Sequence, residues 1–374
     1  MLQRGVHSEI LEREVGADRQ AAREGISLVY CGKHSRKEGA ACRSPNNSST
    51  SWFGSERRRL VIQEYGIFIA FLLLVTILSF SNQYFLTAGN ISNVLLQTSI
   101  NGILAIGMTF VILTRGIDLS VGSVVALAGI VSASFATTSA TAGVAGAPYS
   151  PFIAIPVGLL VGVGCGALVG TIVSRFAVPA FVATLGMLSA ARGLTLIYGG
   201  GKPVPALIPD FRWIGTGNIL GIPVPVILLA VVFLASWWIL NRSRFGRYIY
   251  AVGGNPHAAN TSGINISRVR FSVYVISGGL AGLAGMILSA RTGSALPQAG
   301  ISYELDAIAA VVIGGTSLSG GVGRITGTLI GALIIGVMNN GLDLMGIQSY
   351  YQQVLKGALI VGAVMLDQKR NQNA

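Results

Sequence analysis

A series of long apolar segments with few charges limits most strongly how this chain can fold. A transmembrane helix needs roughly 20 apolar residues to cross ~30 Å of hydrocarbon. One segment, the eighth at about 304–319, is short and ends in glycines, which predicts a broken helix. We therefore predict an all-α polytopic membrane protein with about ten transmembrane helices. The ten segments lie at about 61–80, 94–114, 119–138, 151–173, 178–198, 222–240, 269–290, 304–319, 324–343 and 348–366.

The composition supports this class and excludes an ordinary soluble fold. Charged residues make up 11% of the chain, against about 25% in soluble domains. The 50 glycines fit a membrane bundle, because small residues let helices pack closely. The cysteines Cys31, Cys42 and Cys165 have no metal-ligand spacing, so we expect no metal site.

Lysine and arginine alternate in density between successive loops, and this predicts the orientation. Cytoplasmic loops carry an excess of these residues, which explains the net charge of +12 without nucleic-acid binding. The sparse loops carry only Lys202, Arg212 and Arg291, and we place them outside. With an even number of spans, both termini are then cytoplasmic. The loops and chain ends that we place in the cytoplasm carry Arg57, Arg58, Arg59, Arg115, Arg175, Arg242, Arg244, Arg247, Arg268, Arg270, Arg324, Lys369 and Arg370.

Residues 1–56 differ from the remainder, and residues 57–374 form the predicted transmembrane domain. The first segment contains half of the chain's Asp and Glu and ends in the polar stretch CRSPNNSSTSWFGSE. Such composition cannot bury enough apolar surface to fold alone. We predict a disordered N-terminal extension; a misassigned translation start is the alternative.

The inside loop 241–268 contains the signals of a short capped helix. Asn255 suits the N-cap and Pro256 the first helical position. Gly263 suits a left-handed residue that ends the helix. We predict a helix over 255–262 that docks a cytoplasmic partner, although the basic residues around it also serve topology.

A turn motif occurs twice, each time after a Val/Ile-rich run. GIDLSVG at 116–122 and GTSLSGG at 315–321 share the pattern G-x-x-L-S-x-G. The predicted topology places both turns at the cytoplasmic surface, where Arg115 is a topology anchor and Asp118 caps the third span. The motif indicates a weak internal repeat of the kind found in transporters, or convergent turn chemistry. Its residues are Gly116, Asp118, Ser120, Gly122, Gly315 and Ser319.

Polar side chains inside the predicted spans are few. No row of carboxylates crosses the membrane, although ion-coupled carriers usually need one. A neutral solute needs hydroxyl and amide groups instead, but the same groups also join helices to each other. The candidate solute-path residues are Asn101, Thr109, Glu304, Asp306, Asn339 and Asn340.

The sequence contains no recognisable motif for nucleotide binding, catalysis or zinc binding. GGGKPVP at 199–205 lacks the spacing of a phosphate-binding loop. His257 is the only histidine after the extension, which excludes a His-based catalytic or zinc site in the membrane domain. We therefore expect a transport subunit without catalytic residues or a cofactor of its own.

Three blocks carry a family resemblance. VILTRGIDLSVGSVVALAG, AVGGNPHAANTSGINISRVRFSVYVISGGLAGLAGMI and SYELDAIAAVVIGGTSLSGGVGRITGTLIGALIIGVMNNGL resemble the permease subunits of bacterial ATP-binding cassette (ABC) sugar importers. The resemblance covers roughly residues 60–368. It implies an inner-membrane protein that moves ribose or a similar monosaccharide by alternating access.

The resemblance also implies partners. A cytoplasmic ATPase would hold ATP and Mg²⁺, a periplasmic or lipid-tethered protein would bind the sugar, and a second permease copy would complete a homodimer. The loop 241–268 would then contain the coupling helix. The matching residues are Gly253, Asn255, Ala258, Ala259 and Gly263.

The sequence leaves two alternatives to a ribose permease open. The solute could be a hexose, a polyol, a furanose signal molecule or a branched amino acid. An ion-coupled secondary carrier is the second alternative, and the scarcity of intramembrane carboxylates weighs against it.

Overall fold

The computed structural model describes residues 66–139 and 150–372, so the predicted extension 1–56 lies outside the described residues. The regular elements of the described part are helices and one short hairpin, in which β1 (Asn218–Ile219) pairs antiparallel with β2 (Ile222–Pro223). The helices are α1 (Gly66–Ser81), α2 (Ala88–Leu113), α3 (Val121–Ser134), α4 (Pro151–Arg175), α5 (Ala180–Gly199), α6 (Pro209–Thr216), α7 (Val224–Arg242), α8 (Arg244–Gly254), α9 (Pro256–Thr261), α10 (Ile266–Thr292), α11 (Tyr303–Ile313), α12 (Ile325–Leu344) and α13 (Ser349–Gln372).

The predicted helical membrane class agrees with these elements. A helix lies at each of the ten predicted segments. Within the described ranges, six helices are long and apolar enough to cross a membrane: α2, α4, α5, α7, α10 and α12. Ten crossings with both termini in the cytoplasm remain a prediction.

Helix starts follow local capping signals in the sequence. The Thr87 hydroxyl accepts from the Asn90 N–H at the start of α2, and the Ser150 hydroxyl caps α4, whose first residue is a proline. The Asn265 side chain accepts from the Arg268 N–H at 3.0 Å and starts α10. Each cap satisfies a backbone donor that has no partner inside the helix.

The centre of the bundle is α10, which packs against α2, α3, α4 and α6. Its closest neighbour is α4, where Gly158, Gly162, Gly166 and Gly170 recur every four residues. A Cβ atom at Gly162 would collide with the backbone of α10 at Gly278. The glycines therefore let the two backbones touch, which is how helices associate where lipid offers no hydrophobic driving force.

The third and the eighth predicted spans are formed by short helices, α3 and α11, and each helix follows an irregular stretch of chain. Residues 114–120 run beside α10, where the Ser277 hydroxyl donates to Asp118 Oδ2 at 2.8 Å. Ser277 lies about 17 Å along a helix about 40 Å long, so α3 begins beside the middle of α10. Residues 293–302 return in the same way from the end of α10 to the start of α11. The two short helices meet at their starts, where Gly122 packs against the Gly300 carbonyl.

This arrangement changes the interpretation of the first turn motif. Asp118 is only 2% exposed and lies inside the bundle, whereas the sequence placed the whole turn at the cytoplasmic surface. The Asp118 carboxylate accepts from the N–H of Ser120, the residue before α3, at 3.1 Å. The N-cap of α3 is Ser120, which makes no side-chain cap bond, so Asp118 orders the turn before the helix and the predicted cap is wrong. For the eighth segment, α11 is 11 residues long, or about 16 Å, which agrees with the predicted break.

Candidate functional site

The loop 241–268 folds as two consecutive helices, α8 and α9. The Asn255 side chain accepts from the Ala258 N–H at 3.1 Å, Pro256 takes the first position, and Gly263 follows α9 with φ +80°. The short capped helix predicted over 255–262 is therefore present as α9. An open groove lies at its end and is lined by Gly263, Asn265 and Ser267, among others.

The five residues assigned to ATPase coupling fall into two groups. Asn255, Ala258 and Gly263 are exposed and available to a partner. Gly253 and Ala259 are buried against the rest of the chain, and Ala259 is only 4% exposed. Direct docking is thus open to the first group, and the second group holds the loop in place.

The C-terminal end of α8 is joined to both turn motifs, and we call this contact the inner junction (residues 113–116, 253–254 and 320–321). The Gly321 N–H donates to the Leu113 carbonyl at 3.0 Å. A Cβ at Gly253 would collide with that same carbonyl and with the Gly321 nitrogen. Arg115 donates from Nε to the Gly253 carbonyl at 2.6 Å and from its terminal nitrogen to the Gly254 carbonyl at 2.5 Å. Arg115 therefore does more than anchor topology.

Tyr250 adds a further bond, between α8 and the residues that follow the second turn motif. Its hydroxyl donates to the Gly323 carbonyl at 2.9 Å. Burial raises the pKa of the Tyr250 hydroxyl, so the group stays protonated and able to donate. The loop 241–268 is thus held to the segment around the second turn motif by side-chain as well as backbone contacts.

The two turn motifs share local geometry. The N–H groups of Gly116 and Thr316 each donate at 3.1 Å to a carbonyl five residues earlier, and the preceding residues, Arg115 and Gly315, have positive φ. This is the Schellman ending of a helix. Two residues after the first glycine of each motif, a side chain accepts from a backbone N–H: Asp118 from Ser120, and Ser317 from Ser319. A duplication behind this likeness remains a prediction.

Several candidate solute-path residues join helices to each other. The amides of Asn90 and Asn340 hydrogen-bond reciprocally at 2.9 and 2.8 Å. The Thr109 hydroxyl pairs with that of Thr328 at 2.8 Å. Asn101 is also buried, at 4% exposure. These contacts give a structural reason for the polar groups in α2 and α12.

Asp306 and Asn339 lie in a buried cluster beside α13. Lys356 donates to Asp306 Oδ2 at 2.9 Å, and Asp306 is only 3% exposed. The other carboxylate oxygen and the Asn339 carbonyl oxygen have no partner in the described part of the chain. A buried charge needs such a counter-charge, so the ion pair fixes α13 against α11.

Glu304 lies apart from this cluster, at the meeting point of α3 and α11. Its carboxylate packs against Gly122, and it is partly exposed. Sequence reasoning missed the arginine nearby: Arg192 on α5 donates to the carbonyls of Pro297 and Ala299 at 2.7 and 3.0 Å. A single arginine inside an otherwise apolar segment was the signal that could have found it.

Comparison with known proteins gives the family. Residues 90–364 match the family described as the branched-chain amino acid transport system / permease component. The chain is 49% identical over 313 residues to the ribose import permease protein RbsC of Escherichia coli strain K12, covering 83% of this chain and 95% of that protein. It is 47% identical over 328 residues to RbsC of Bacillus subtilis strain 168, covering 86% and 99%.

A relative named for another sugar is also similar. The D-allose transport system permease protein AlsC of E. coli K12 is 43% identical over 306 residues, covering 81% of this chain and 91% of that protein. No solved structure matches the chain. With six apolar helices, these similarities indicate a multi-pass protein of the inner membrane. The chain belongs to the family of permease components of ABC transport systems.

Proposed function

We propose that this chain is the membrane permease of an ABC importer for ribose or a similar monosaccharide. The observation that carries the proposal is the identity of 47–50% to ribose import permeases along nearly their whole length. The lack of a phosphate-binding loop fits a subunit that leaves ATP hydrolysis to a partner. The similarity to the D-allose permease favours another monosaccharide as the second candidate solute.

The proposed assembly contains two copies of this chain, a cytoplasmic ATPase that holds ATP and Mg²⁺, and a sugar-binding protein on the outer side. The ten segments cross the membrane with both termini in the cytoplasm. The ATPase docks on the exposed side of α9, at Asn255, Ala258 and Gly263. The compact capped helix supports this role, because it presents a rigid surface in the longest basic loop.

Transport proceeds by alternating access. Closure of the ATPase dimer moves α9 and α8, and the inner junction carries that movement to the ends of α2 and α11. Three features support this route: the backbone bond between Gly321 and Leu113, the lack of space at Gly253, and the Arg115 bonds. Glu304 is the candidate solute contact that the geometry favours, because it is partly exposed.

The test is uptake of labelled ribose by proteoliposomes that contain the permease, the ATPase and the sugar-binding protein. We expect uptake that requires ATP and the binding protein. Uptake that continues without the ATPase and stops with an ionophore would instead indicate a secondary carrier. Binding of a sugar panel to the isolated binding protein identifies the solute.

Docking is tested by Ala258→Glu, which adds a charge to the exposed side of α9. We expect the ATPase to bind more weakly and uptake to fall. Asn241→Glu is the matched control, because it adds the same charge at an exposed position of the same loop. Equal loss in both variants, or none in Ala258→Glu, would contradict docking on α9.

A further inference from the structure

Four side chains with hydrogen-bonding groups on α5, in the stretch before α11 and in the first turn of α11 are not buried. Arg192 on α5 and Glu304 in the first turn of α11 are both partly exposed. Ser189, one turn before Arg192, and Gln298, in the stretch before α11, are exposed. We call these four residues the central polar patch.

Arg192 fixes the stretch before α11 and keeps capacity for further bonds. One terminal nitrogen donates to the carbonyls of Pro297 and Ala299, and the guanidinium has five N–H donors in all. Arg192 and Glu304 attract each other, yet in residues 66–139 and 150–372 no ion pair joins them. The Glu304 carboxylate lies near the Ser302 N–H, and a carboxylate has about four acceptor positions. Both groups can therefore bond to a third molecule.

The position of Arg192 along α5 indicates what its exposed part faces. It lies about 18 Å from the first residue of a helix about 30 Å long, well inside the thickness of a membrane. Ionisable side chains at such a depth face the bundle interior or a water-filled cavity, because lipid does not solvate them. The central polar patch therefore marks an aqueous surface.

We propose that the central polar patch is a contact site for the hydroxyl groups of the transported monosaccharide. Glu304 accepts from a sugar hydroxyl, and Ser189 and Gln298 offer further donors and acceptors. Arg192 is a positioning residue that holds the stretch 297–299 and balances the charge of Glu304. A neutral sugar fits two opposite charges, and the relatives are named for ribose and D-allose. This inference rests on the proposed function.

Accessibility tests the aqueous surface. In a variant with Cys31 and Cys42 changed to Ser and Cys165 to Ala, Ser189→Cys is exposed to a charged, membrane-impermeant methanethiosulfonate. Leu194→Cys is the control, because Leu194 is also exposed on α5 but is turned away from Ser189 by about 140°. We expect Ser189→Cys to react at least about tenfold faster, since the reagent enters water and not lipid. Equal or reversed rates would overturn the proposal.

Glu304→Gln tests the contact itself, because it keeps the size of the side chain and removes the charge. In proteoliposomes with the whole importer, we expect ribose uptake to fall by about tenfold or more, as a bond to a charged group is lost. ATP hydrolysis stimulated by the loaded binding protein should stay near the unmodified rate, because the inner junction is untouched. Unchanged uptake, or equal loss of both activities, overturns the contact.

Uptake by the unmodified complex distinguishes a failure of the proposed function from a failure of the contact site alone. If it imports no monosaccharide, the proposed function fails and the contact site fails with it. If it imports ribose while Glu304→Gln imports equally well, only the contact site fails.

Discussion

Gly253→Ala is the substitution that tests most directly whether the inner junction transmits movement. Gly253 lies at the end of α8, immediately before the predicted coupling helix, and is buried. Its Cα approaches the Leu113 carbonyl and the Gly321 nitrogen so closely that no Cβ fits. Both contacts are backbone atoms, so no side-chain rotation can relieve the collision. Alanine must therefore push α8 away from the ends of both turn motifs.

The size of the effect follows from the contacts that would be lost. Overpacking a close contact costs about 1–3 kcal/mol. Loss of the 3.0 Å bond between Gly321 and Leu113 costs about 1 kcal/mol more. The Arg115 bonds to the α8 carbonyls are partly exposed, so we add at most about 1 kcal/mol for them. A total of about 2–5 kcal/mol shifts the equilibrium of the assembled junction by a factor between about 30 and several thousand.

The assay compares Gly253→Ala with Gly254→Ala in proteoliposomes that contain the ATPase and the binding protein. A Cβ at Gly254 has no atom within 4 Å, so the neighbouring substitution adds the same methyl group without a collision. We expect uptake to fall at least about tenfold in Gly253→Ala, because each 1.4 kcal/mol is a factor of ten. Gly254→Ala should keep most of its activity. Normal uptake by Gly253→Ala, or equal loss in both variants, would refute the reasoning.

Three further experiments test the packing of the bundle and of α9. Gly162→Ala should lower the melting temperature in detergent by a cost of about 1–3 kcal/mol, while Gly164→Ala, which has open space, should not; equal melting curves would contradict the glycine contact. Asn90→Ala and Asn340→Ala should show a coupling of about 0.5–1.5 kcal/mol in a double-mutant cycle of unfolding, whereas additive effects would mean that the amide pair contributes nothing. Gly263→Ala should weaken ATPase binding to the permease, because φ +80° costs about 1–2 kcal/mol for alanine, and unchanged affinity would show that the end of α9 is not involved.

Local sequence signals predicted the elements well where a single segment decides its own structure. The apolar segments coincide with helices, and Asn255, Pro256 and Gly263 take the places around α9 that their chemistry suggested. These features depend on a few consecutive residues, such as the N-cap bond from Ala258 to Asn255. No distant contact is needed to form them, so the sequence alone carries the information.

Features that depend on distant contacts could not be predicted. Asp118 was assigned to the surface because the distribution of Lys and Arg placed its turn in the cytoplasm, but Ser277, 159 positions away, binds it inside the bundle. Arg115 was assigned to topology because its partners, the carbonyls of Gly253 and Gly254, are backbone groups that leave no signal in the sequence. The ion pair of Asp306 with Lys356 likewise joins segments that have no relation in sequence. Such pairings require the three-dimensional arrangement.

Two segments connect the inner junction to the middle of the bundle: the stretch 114–120, which leads into α3, and α11. The stretch 114–120 begins at the junction and ends at the start of α3, and α11 runs from that meeting point back to the second turn motif. Binding equilibria that are coupled must act in both directions with the same free energy. If ATPase docking on α9 changes how α3 and α11 meet, then a sugar bound at the central polar patch must change the affinity of the permease for the ATPase by the same factor. If Gly253→Ala removes this coupling in both directions while each site still binds its own ligand, the inner junction is the element that couples them.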